Sequence, residues 1–478
     1  MSNNPETDSL RPQIGLGRAL FQSIAFMGPG ASIAFSLGLV IANAGIVAPL
    51  AVVVALVAAL CVAASIGQLA RHIPASGGFF SYATAGLGKR WGFMTGWLWV
   101  QFVVNSTVFG VLLFGYLGSP FCNTYLHVNV PWWVLSGLLL AFAGWAAFRG
   151  VKFSTGVTMV LGTIEVVILL IVIIALIAHA GSVNTLSAFN PAKAPSLSLF
   201  ALGVVYCMSL FIGFEGATPL AEEVRNPRRN IALAVVGATF FIGLFYIIAT
   251  YAGVVSWGPS HLSSYINAAN PWVEMASKLG SWVAFFVALA ILNSLVAFVQ
   301  AVFNGGARLL FAMGRAEVLP NGLSKLHPRH RTPYVAVEVI LVLSAVVAYV
   351  LGFWRGVYAG LAITVTFGAV CFILIYIIGC AANFGFFLRR RRAEFSIFWN
   401  TIVPLIGIVV LAVALYKSII PLPAYPGNYG VLAAYVWIFL GLVGVVWRGN
   451  RLSGDEFARA MQLADDSPES LTEPPSEG

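Results

Sequence analysis

Apolar residues run through this chain in long blocks separated by short polar turns. No Asp, Glu, Lys or Arg occurs between Arg18 and Arg71, between Arg90 and Arg149, or between Arg355 and Arg389. A helix rising about 1.5 Å per residue crosses the hydrocarbon of a bilayer in about 20 residues, so each run holds one or two spans. Glycine, proline and charge divide the sequence into twelve apolar segments. They are 18–43, 46–70, 91–118, 131–149, 153–180, 198–222, 231–256, 280–309, 334–354, 357–383, 397–417 and 429–448. The blocks are continuous and do not alternate with a period of two, which predicts spanning helices in place of a β-barrel. The expected fold class is an all-α polytopic membrane protein with twelve transmembrane helices.

Composition agrees with the pattern. Hydrophobic residues make up 59% of the chain and charged residues 9%, against about 25% charged in soluble proteins; mean hydropathy is +0.90. The formal charge of +9 adds a topology. Twelve spans place both termini on one face, and that face carries 22 of the 26 Lys and Arg residues, leaving Lys193, Lys278, Arg355 and Lys417 opposite. Basic loops stay in the cytoplasm, so the chain is expected in the cell membrane with both termini cytoplasmic. Charges spread over short loops do not make a nucleic-acid surface; the macroscopic partner is the lipid bilayer. The run Arg389 to Arg392 reads as a stop-transfer anchor that also meets anionic lipid. Residues 1–13 are polar and lead straight into the spans, which predicts a cytoplasmic tail and not a cleaved leader. Residues 451–478 carry seven acidic residues among Ser and Pro, the composition of a disordered tail.

Several chemistries have no residues to support them. Four of the five cysteines (Cys61, Cys122, Cys207, Cys371 and Cys380) fall within apolar runs without metal-like spacing, and read as buried side chains. His327 and His330 sit in a basic loop without partner ligands. No GxxxxGK[ST] loop cradles a nucleotide, and no His-, Asp- or metal-rich cluster suggests an enzyme. No metal or cofactor is expected. Transport, if driven, must use a gradient.

Two spans contain helix breakers. The first reads Met27-Gly28-Pro29-Gly30-Ala31-Ser32. Proline removes a donor and clashes with the preceding turn, while the glycines weaken the helix further. By itself such a pair makes only a kink. The sixth span reads Ser209-Leu-Phe211-Ile212-Gly213-Phe214-Glu215-Gly216, with Pro219 shortly after. Two spans five apart open two units of opposite topology, and matched interruptions in two halves point to a transporter site. Half-helix amides attract a carboxylate and half-helix carbonyls attract an ammonium, which suits a zwitterion.

Three stretches extend this reading: Ile73-Pro-Ala-Ser-Gly-Gly-Phe-Phe-Ser-Tyr82; Gly213 to Gly216 with Glu222-Glu-Val-Arg-Asn-Pro-Arg-Arg-Asn230; and Arg308-Leu-Leu-Phe-Ala-Met-Gly-Arg315 with Leu319-Pro320. With them, the chain up to about residue 450 resembles the amino acid–polyamine–organocation superfamily of permeases. The resemblance implies the LeuT-type fold: inverted five-helix repeats over 14–197 and 198–388, then helices 11 and 12 over 389–450. It also implies that backbone around Gly28–Ala31 and Ser209–Gly213 holds the amine and carboxylate of an amino acid.

Charges inside the apolar blocks supply candidate coupling groups. Glu165 lies 13 residues past Lys152, roughly 20 Å into its helix. An acid at that depth must face protein or water. Relatives of the resembled superfamily often carry Lys near this position, so Glu165 is a departure. Glu215 adjoins the second break, where related exchangers use a Glu in proton or substrate handling. Glu222 and Glu223 lie near the cytoplasmic end and are expected to pair with Arg225, Arg228 or basic loop residues as an inner gate. Glu338 reads as solvated at the interface.

The substrate site expected from these features comprises Met27, Gly28, Pro29, Gly30, Ala31, Ser32, Asn105, Ser209, Phe211, Ile212, Gly213 and Phe214. Thr364 and Thr366 add polar groups, and Tyr206, Phe211 or Phe214 would form an aromatic lid. Ser209 stands where relatives often carry an aromatic ring. Asn293 and Ser294 form a candidate ion site by analogy with sodium-driven relatives, although a proton is favoured over sodium. The expected function is secondary transport of an amino acid by symport or exchange. Polyamine or organic-cation transport is the alternative, and a channel would need a repeated filter that is absent.

Overall fold

The computed structural model describes residues 10–448. The expected N-terminal tail is therefore in view only from Leu10, and the acidic tail expected over 451–478 lies outside the described residues. Everything described is helix, turn or irregular chain apart from one parallel bridge between Ile14 and Val224.

The principal helices are α1 (Leu16–Met27), α2 (Pro29–Phe35), α3 (Leu37–Ala44), α4 (Ala48–His72), α5 (Phe79–Leu87), α6 (Lys89–Phe121), α7 (Trp132–Phe148) and α8 (Val151–His179). They continue with α9 (Leu197–Cys207), α10 (Pro227–Trp257), α11 (Leu262–Tyr265), α12 (Pro271–Ser277), α13 (Ser281–Arg315), α14 (Tyr334–Arg355), α15 (Val357–Arg390), α16 (Val403–Ile419) and α17 (Gly427–Arg448). Ten helices among the described residues are long and apolar enough to cross a membrane. Two of the twelve expected segments are not among them as separate spans. Segment 18–43 is divided into α1, α2 and α3 because Gly28-Pro29 interrupts it, and α3 runs on into α4 through one turn at Gly45–Val47. Segment 131–149 forms α7, an apolar helix of 17 residues.

Three elements were not foreseen. The stretch beginning Ile73-Pro74 contains α5, whose Phe79, Phe80 and Tyr82 are wholly buried. Helices α11 and α12 fold between α10 and α13, and Trp272 of α12 is also fully buried. The most enclosed long helix is α6, whereas α16 and α17 expose apolar side chains such as Val409, Phe439 and Val446. Apolar exposure on outer helices is expected in hydrocarbon, where no polar face is required. Stacked indoles clamp α17 to α6. The Trp97 and Trp437 rings lie 4.3 Å apart, and each N–H donates to the other residue's carbonyl, at 2.9 and 3.1 Å.

Contacts gather basic residues distant in sequence at one end of the bundle. Arg18 donates to the Lys152 carbonyl at 3.0 Å, and Arg228 donates to the Arg71 carbonyl at 3.0 Å. The starts of α1, α8 and α10 therefore share an end with the close of α4. Lys278 instead donates to the Ser256 carbonyl at 3.2 Å, near the end of α10.

Candidate functional site

The site grows from the need to satisfy backbone freed by two interruptions. At the first, Gly28 takes φ 54° and ψ 66°, a left-handed conformation in which a side chain would be strained, and Pro29 starts α2. The new helix end exposes amides that its own turn cannot pair. Two other helices supply the acceptors. The Gly30 N–H donates to Glu165 Oε1 at 2.5 Å, and the Ala31 N–H donates to Ser294 Oγ at 3.1 Å. The Met27 carbonyl accepts from Ser32 Oγ at 2.8 Å and from Tyr246 OH at 3.4 Å. Gly30 has little room to be anything else: a Cβ there would stand 3.1 Å from Glu165 Oε1 and 3.2 Å from Ser294 Cβ. Glu165 is completely buried, and its Oε2 has no hydrogen-bond partner among the described residues.

The second interruption is longer. α9 ends at Cys207, a tight turn covers Met208–Phe211, Gly213 takes φ 107°, and helical turns resume at Thr218–Glu223. A Cβ on Gly213 would overlap the Phe26 carbonyl, so the two interrupted chains touch backbone to backbone. The Gly213 N–H donates to Tyr376 OH at 3.2 Å, and that hydroxyl donates to Glu215 Oε2 at 2.6 Å. The Ala217 N–H donates to Ser23 Oγ at 3.1 Å. Each break thus has a buried carboxylate beside it, Glu165 directly and Glu215 through Tyr376. Tyr376 was not anticipated; its one sequence signal is a lone hydroxyl in the apolar run 372–378.

Between the breaks lies a cavity of about 340 Å³. Of the expected site residues, Met27, Gly28, Ala31, Ser32, Asn105, Tyr206, Ser209 and Ile212 line it, as do Thr364 and Thr366. Pro29, Gly30, Phe211, Gly213 and Phe214 do not. Gly30 faces Glu165, Phe211 packs edge-on against Tyr246, and Phe214 lies 5.0 Å from the Tyr376 ring. The Gly30 and Ala31 amides, expected to meet a ligand, are taken by Glu165 and Ser294. The Asn293 amide donates to the Leu161 carbonyl at 2.8 Å, so Asn293 and Ser294 face different neighbours.

Five phenylalanines line the cavity unforeseen: Phe35, Phe102, Phe109, Phe298 and Phe372. Their signal was helical spacing, since Phe102, Asn105 and Phe109 share a face of α6, and Thr364, Gly368 and Phe372 share one of α15. Asn105 is oriented by its amide donating to the Thr364 carbonyl at 2.8 Å. Among the described residues no Asp or Glu lines the cavity, and the charged residue that does is Lys417.

The opposite end is shut by side chains. Arg308 and Glu223 form a two-pronged pair, Nε to Oε2 at 2.7 Å and Nη2 to Oε1 at 3.1 Å, with both residues buried. Arg315 meets Glu222 at 2.8 and 3.3 Å, and Ser76 Oγ shares that carboxylate at 2.8 Å. A polar layer lies above these pairs: Gln22 donates to the Ala301 carbonyl at 2.8 Å, and Asn304 donates to Gln22 Oε1 at 3.1 Å. Ten residues of α13 separate Phe298 in the cavity from Arg308 in the seal, about 15 Å of helix. The two arginine partners named here, Arg308 and Arg315, stand on α13, which extends to Arg315 and not only to the expected boundary at 309. Arg228 donates to the Arg71 carbonyl in the contact already described, and Arg225 offers its backbone N–H to the Ile14 carbonyl at 2.9 Å.

Residues 18–446 match the amino acid permease family. The chain belongs to that family. It is a multi-pass membrane transporter of the amino acid and polyamine permease type, not an enzyme. The permease is 24% identical to the branched-chain amino acid permease BcaP of Bacillus subtilis over 328 residues, 65% of this chain and 69% of that one. It is 25% identical to the low-affinity putrescine importer PlaP of Escherichia coli over 459 residues, covering 93% and 96% of the two chains. An uncharacterized transporter of Mycobacterium tuberculosis is 30% identical over 437 residues, 89% of this chain and 91% of that one.

Two variants test the geometry. Arg308→Met leaves Glu223 buried without its partner and is expected to cost about 3–5 kcal/mol, read as a fall in the thermal unfolding midpoint of purified permease. Adding Glu223→Gln should recover part of that loss. Gly213→Ala is expected to lower the midpoint as well, because a side chain meets both the φ of 107° and the Phe26 carbonyl.

Proposed function

We propose that this permease is a secondary transporter of amino acids with apolar or otherwise neutral side chains. It would work in the cell membrane with cytoplasmic termini, by alternating access around the cavity between the two breaks. The observation that carries the substrate class is the cavity lining, which pairs many aromatic and aliphatic surfaces with Ser, Thr and Asn but, among the described residues, contains no carboxylate. A single ammonium can be met by carbonyl oxygens of the irregular stretch 208–213, each with two lone pairs. A second ammonium, as in a polyamine, would have no counter-ion and would face Lys417. Glu165 and Glu215 cannot serve in the present state, since both stand behind the breaks. A cavity of about 340 Å³ equals roughly eleven water volumes, room for one amino acid with a large side chain.

In this reading Met27, Gly28, Ala31, Ser32, Asn105, Ser209 and Ile212 touch the substrate, and Tyr206 closes over it. Ser209 leaves the space an aromatic ring would fill. The chain would have twelve spans in the LeuT-type arrangement, with inverted repeats over 14–197 and 198–388 followed by two helices over 389–450. Supporting this are the two interruptions, five segments apart, whose backbones meet at Gly213 and Phe26. Glu222 and Glu223 form the inner gate with Arg315 and Arg308.

Glu165 is the proposed coupling group, with Glu215 in a parallel role at the other break. An ionised Glu165 makes a charge-assisted bond to the Gly30 amide. A proton on Oε2 weakens that bond and loosens α2 from α8, tying the position of the first break to protonation. A proton is favoured over sodium because the two candidate ion ligands, Asn293 and Ser294, are turned to different neighbours, Leu161 and Ala31.

Binding to purified permease is expected for leucine-like neutral amino acids in a labelled panel, with putrescine failing to compete; no binding of any amino acid overturns the proposal. Uptake is expected to fall as external pH rises and to be indifferent to sodium. Glu165→Gln should flatten the pH profile while exchange persists, and an unchanged profile removes Glu165 as the coupling group.

A further inference from the structure

An amino acid in this cavity brings a carboxylate, and the amides at the two breaks are already committed. At the first break the Gly28 N–H donates to the Ala25 and Ile24 carbonyls at 3.1 and 3.2 Å, and the Ser32 N–H donates to the Gly28 carbonyl at 2.8 Å. Glu165 and Ser294 hold the amides of Gly30 and Ala31 between them. At the second break the Ile212 and Phe214 amides each reach a carbonyl three residues back, at 3.4 Å, and the Gly213 amide is held by Tyr376. Several side-chain donors of the lining are spent in the same way. Ser32 donates to the Met27 carbonyl, Ser209 to the Tyr206 carbonyl at 2.7 Å, and Asn105 to the Thr364 carbonyl.

Among the described residues one lining side chain is positively charged. Lys417 shares a face of α16 with Ala414 and Ser418, at i, i+3 and i+4 spacing, and all three line the cavity. The chain enters α16 at Asn400, which donates to Gln68 Oε1 at 2.7 Å near the close of α4, just before Ser76 of the seal. Lys417 comes 17 residues later, about 25 Å of helical chain. It therefore stands at the end of the cavity away from the seal. The wall continues there into the connection to α17. Pro423 lines the cavity, and Thr366 anchors the connection by donating to the Gly427 carbonyl at 2.8 Å.

The close of a helix suits any cation, yet two other basic residues of this end are engaged elsewhere. Lys278 donates to the Ser256 carbonyl, and the Arg355 guanidinium lies 4.0 Å from the Trp354 ring centre. Lys417 forms no ion pair among the described residues. Its ammonium lies 5.7 Å from the centre of the exposed Tyr416 ring, at the outer range of cation–π attraction. A flexible four-carbon stem leaves that ammonium free to turn.

We propose that Lys417 is the first partner of the substrate's carboxylate and sets the charge selectivity of the cavity. The zwitterion lies with its ammonium toward the carbonyls of 208–213 and its carboxylate toward α16. Apolar walls let one uncompensated charge set the potential of the space they enclose. A solute with net positive charge is turned away for that reason, whatever the fit of its carbon chain. The inference rests on the amino-acid reading for its cargo, whereas the potential it assigns to the cavity does not.

The test uses full-length permease as the native protein, Lys417→Met and Lys417→Arg. Competition against labelled leucine compares leucine with leucinamide, which keeps the side chain and the ammonium but lacks the carboxylate. Lys417→Met is expected to cut the preference for leucine over leucinamide about tenfold, and Lys417→Arg to retain it. An unchanged preference in Lys417→Met overturns the inference. A second readout needs no cargo. Ser36→Cys places a thiol on the cavity wall, and methanethiosulfonates bearing a sulfonate or a trimethylammonium label it at rates whose ratio reports the local potential. The same protein without Ser36→Cys subtracts any labelling of the native cysteines. Adding Lys417→Met is expected to lower the ratio of anionic to cationic labelling by about fivefold or more; an unchanged ratio overturns the inference. Should the native permease bind no amino acid, the cargo reading fails, and the labelling ratio still decides whether Lys417 charges the cavity.

Discussion

A backbone polar group inside the hydrocarbon must find a partner within the protein, and the architecture around the two breaks follows from that constraint. Interrupting α1 at Gly28-Pro29 creates amides at Gly30 and Ala31 that α2 cannot pair. They are met by Glu165 from α8 and Ser294 from α13, so the break becomes the point where three helices are tied. The second break uses Tyr376 and Glu215 to the same end. Breaking a helix in a membrane is costly only while the freed groups lack partners, and here each interruption recruits its own.

That solution separates the roles of the acidic residues. Glu165 and Glu215 hold backbone and stay out of the cavity, leaving a lining of rings, aliphatic groups and a few neutral polar atoms. Glu222 and Glu223 work at the closed end with Arg315 and Arg308. A buried ion pair contributes little net stability compared with an apolar packing of the same volume. It does make an end that is firm when assembled and wettable when parted, which an apolar plug would not be.

Much of the fold was legible because lipid imposes a simple rule on sequence. Apolar blocks of sufficient length gave the helices, and basic residues gathered at one end through contacts such as Arg18 with Lys152 and Arg228 with Arg71. The helix breakers were equally readable, since proline and paired glycine act locally. Helix ends were less so. α13 continues through Arg308 to Arg315 because a buried arginine paired with Glu223 is compatible with helix, whereas sequence reading ends an apolar span at its first charge. α5 was hidden for a related reason, being short and enclosed between longer elements.

The sequence by itself determined where the chain crosses hydrocarbon, where it breaks, and that Glu165 had to face protein or water and not lipid. Each follows from local chemistry: hydropathy, the ring of proline, and the cost of a charge in lipid. Tertiary structure decided which side chains face one another. It turned Phe211 and Phe214 into packing against Tyr246 and Tyr376, brought five phenylalanines into the cavity, and joined Ile14 to Val224 across more than 200 residues. In an all-apolar helix no face is marked as inward by polarity, so the lining emerges only when neighbouring helices select a face by packing.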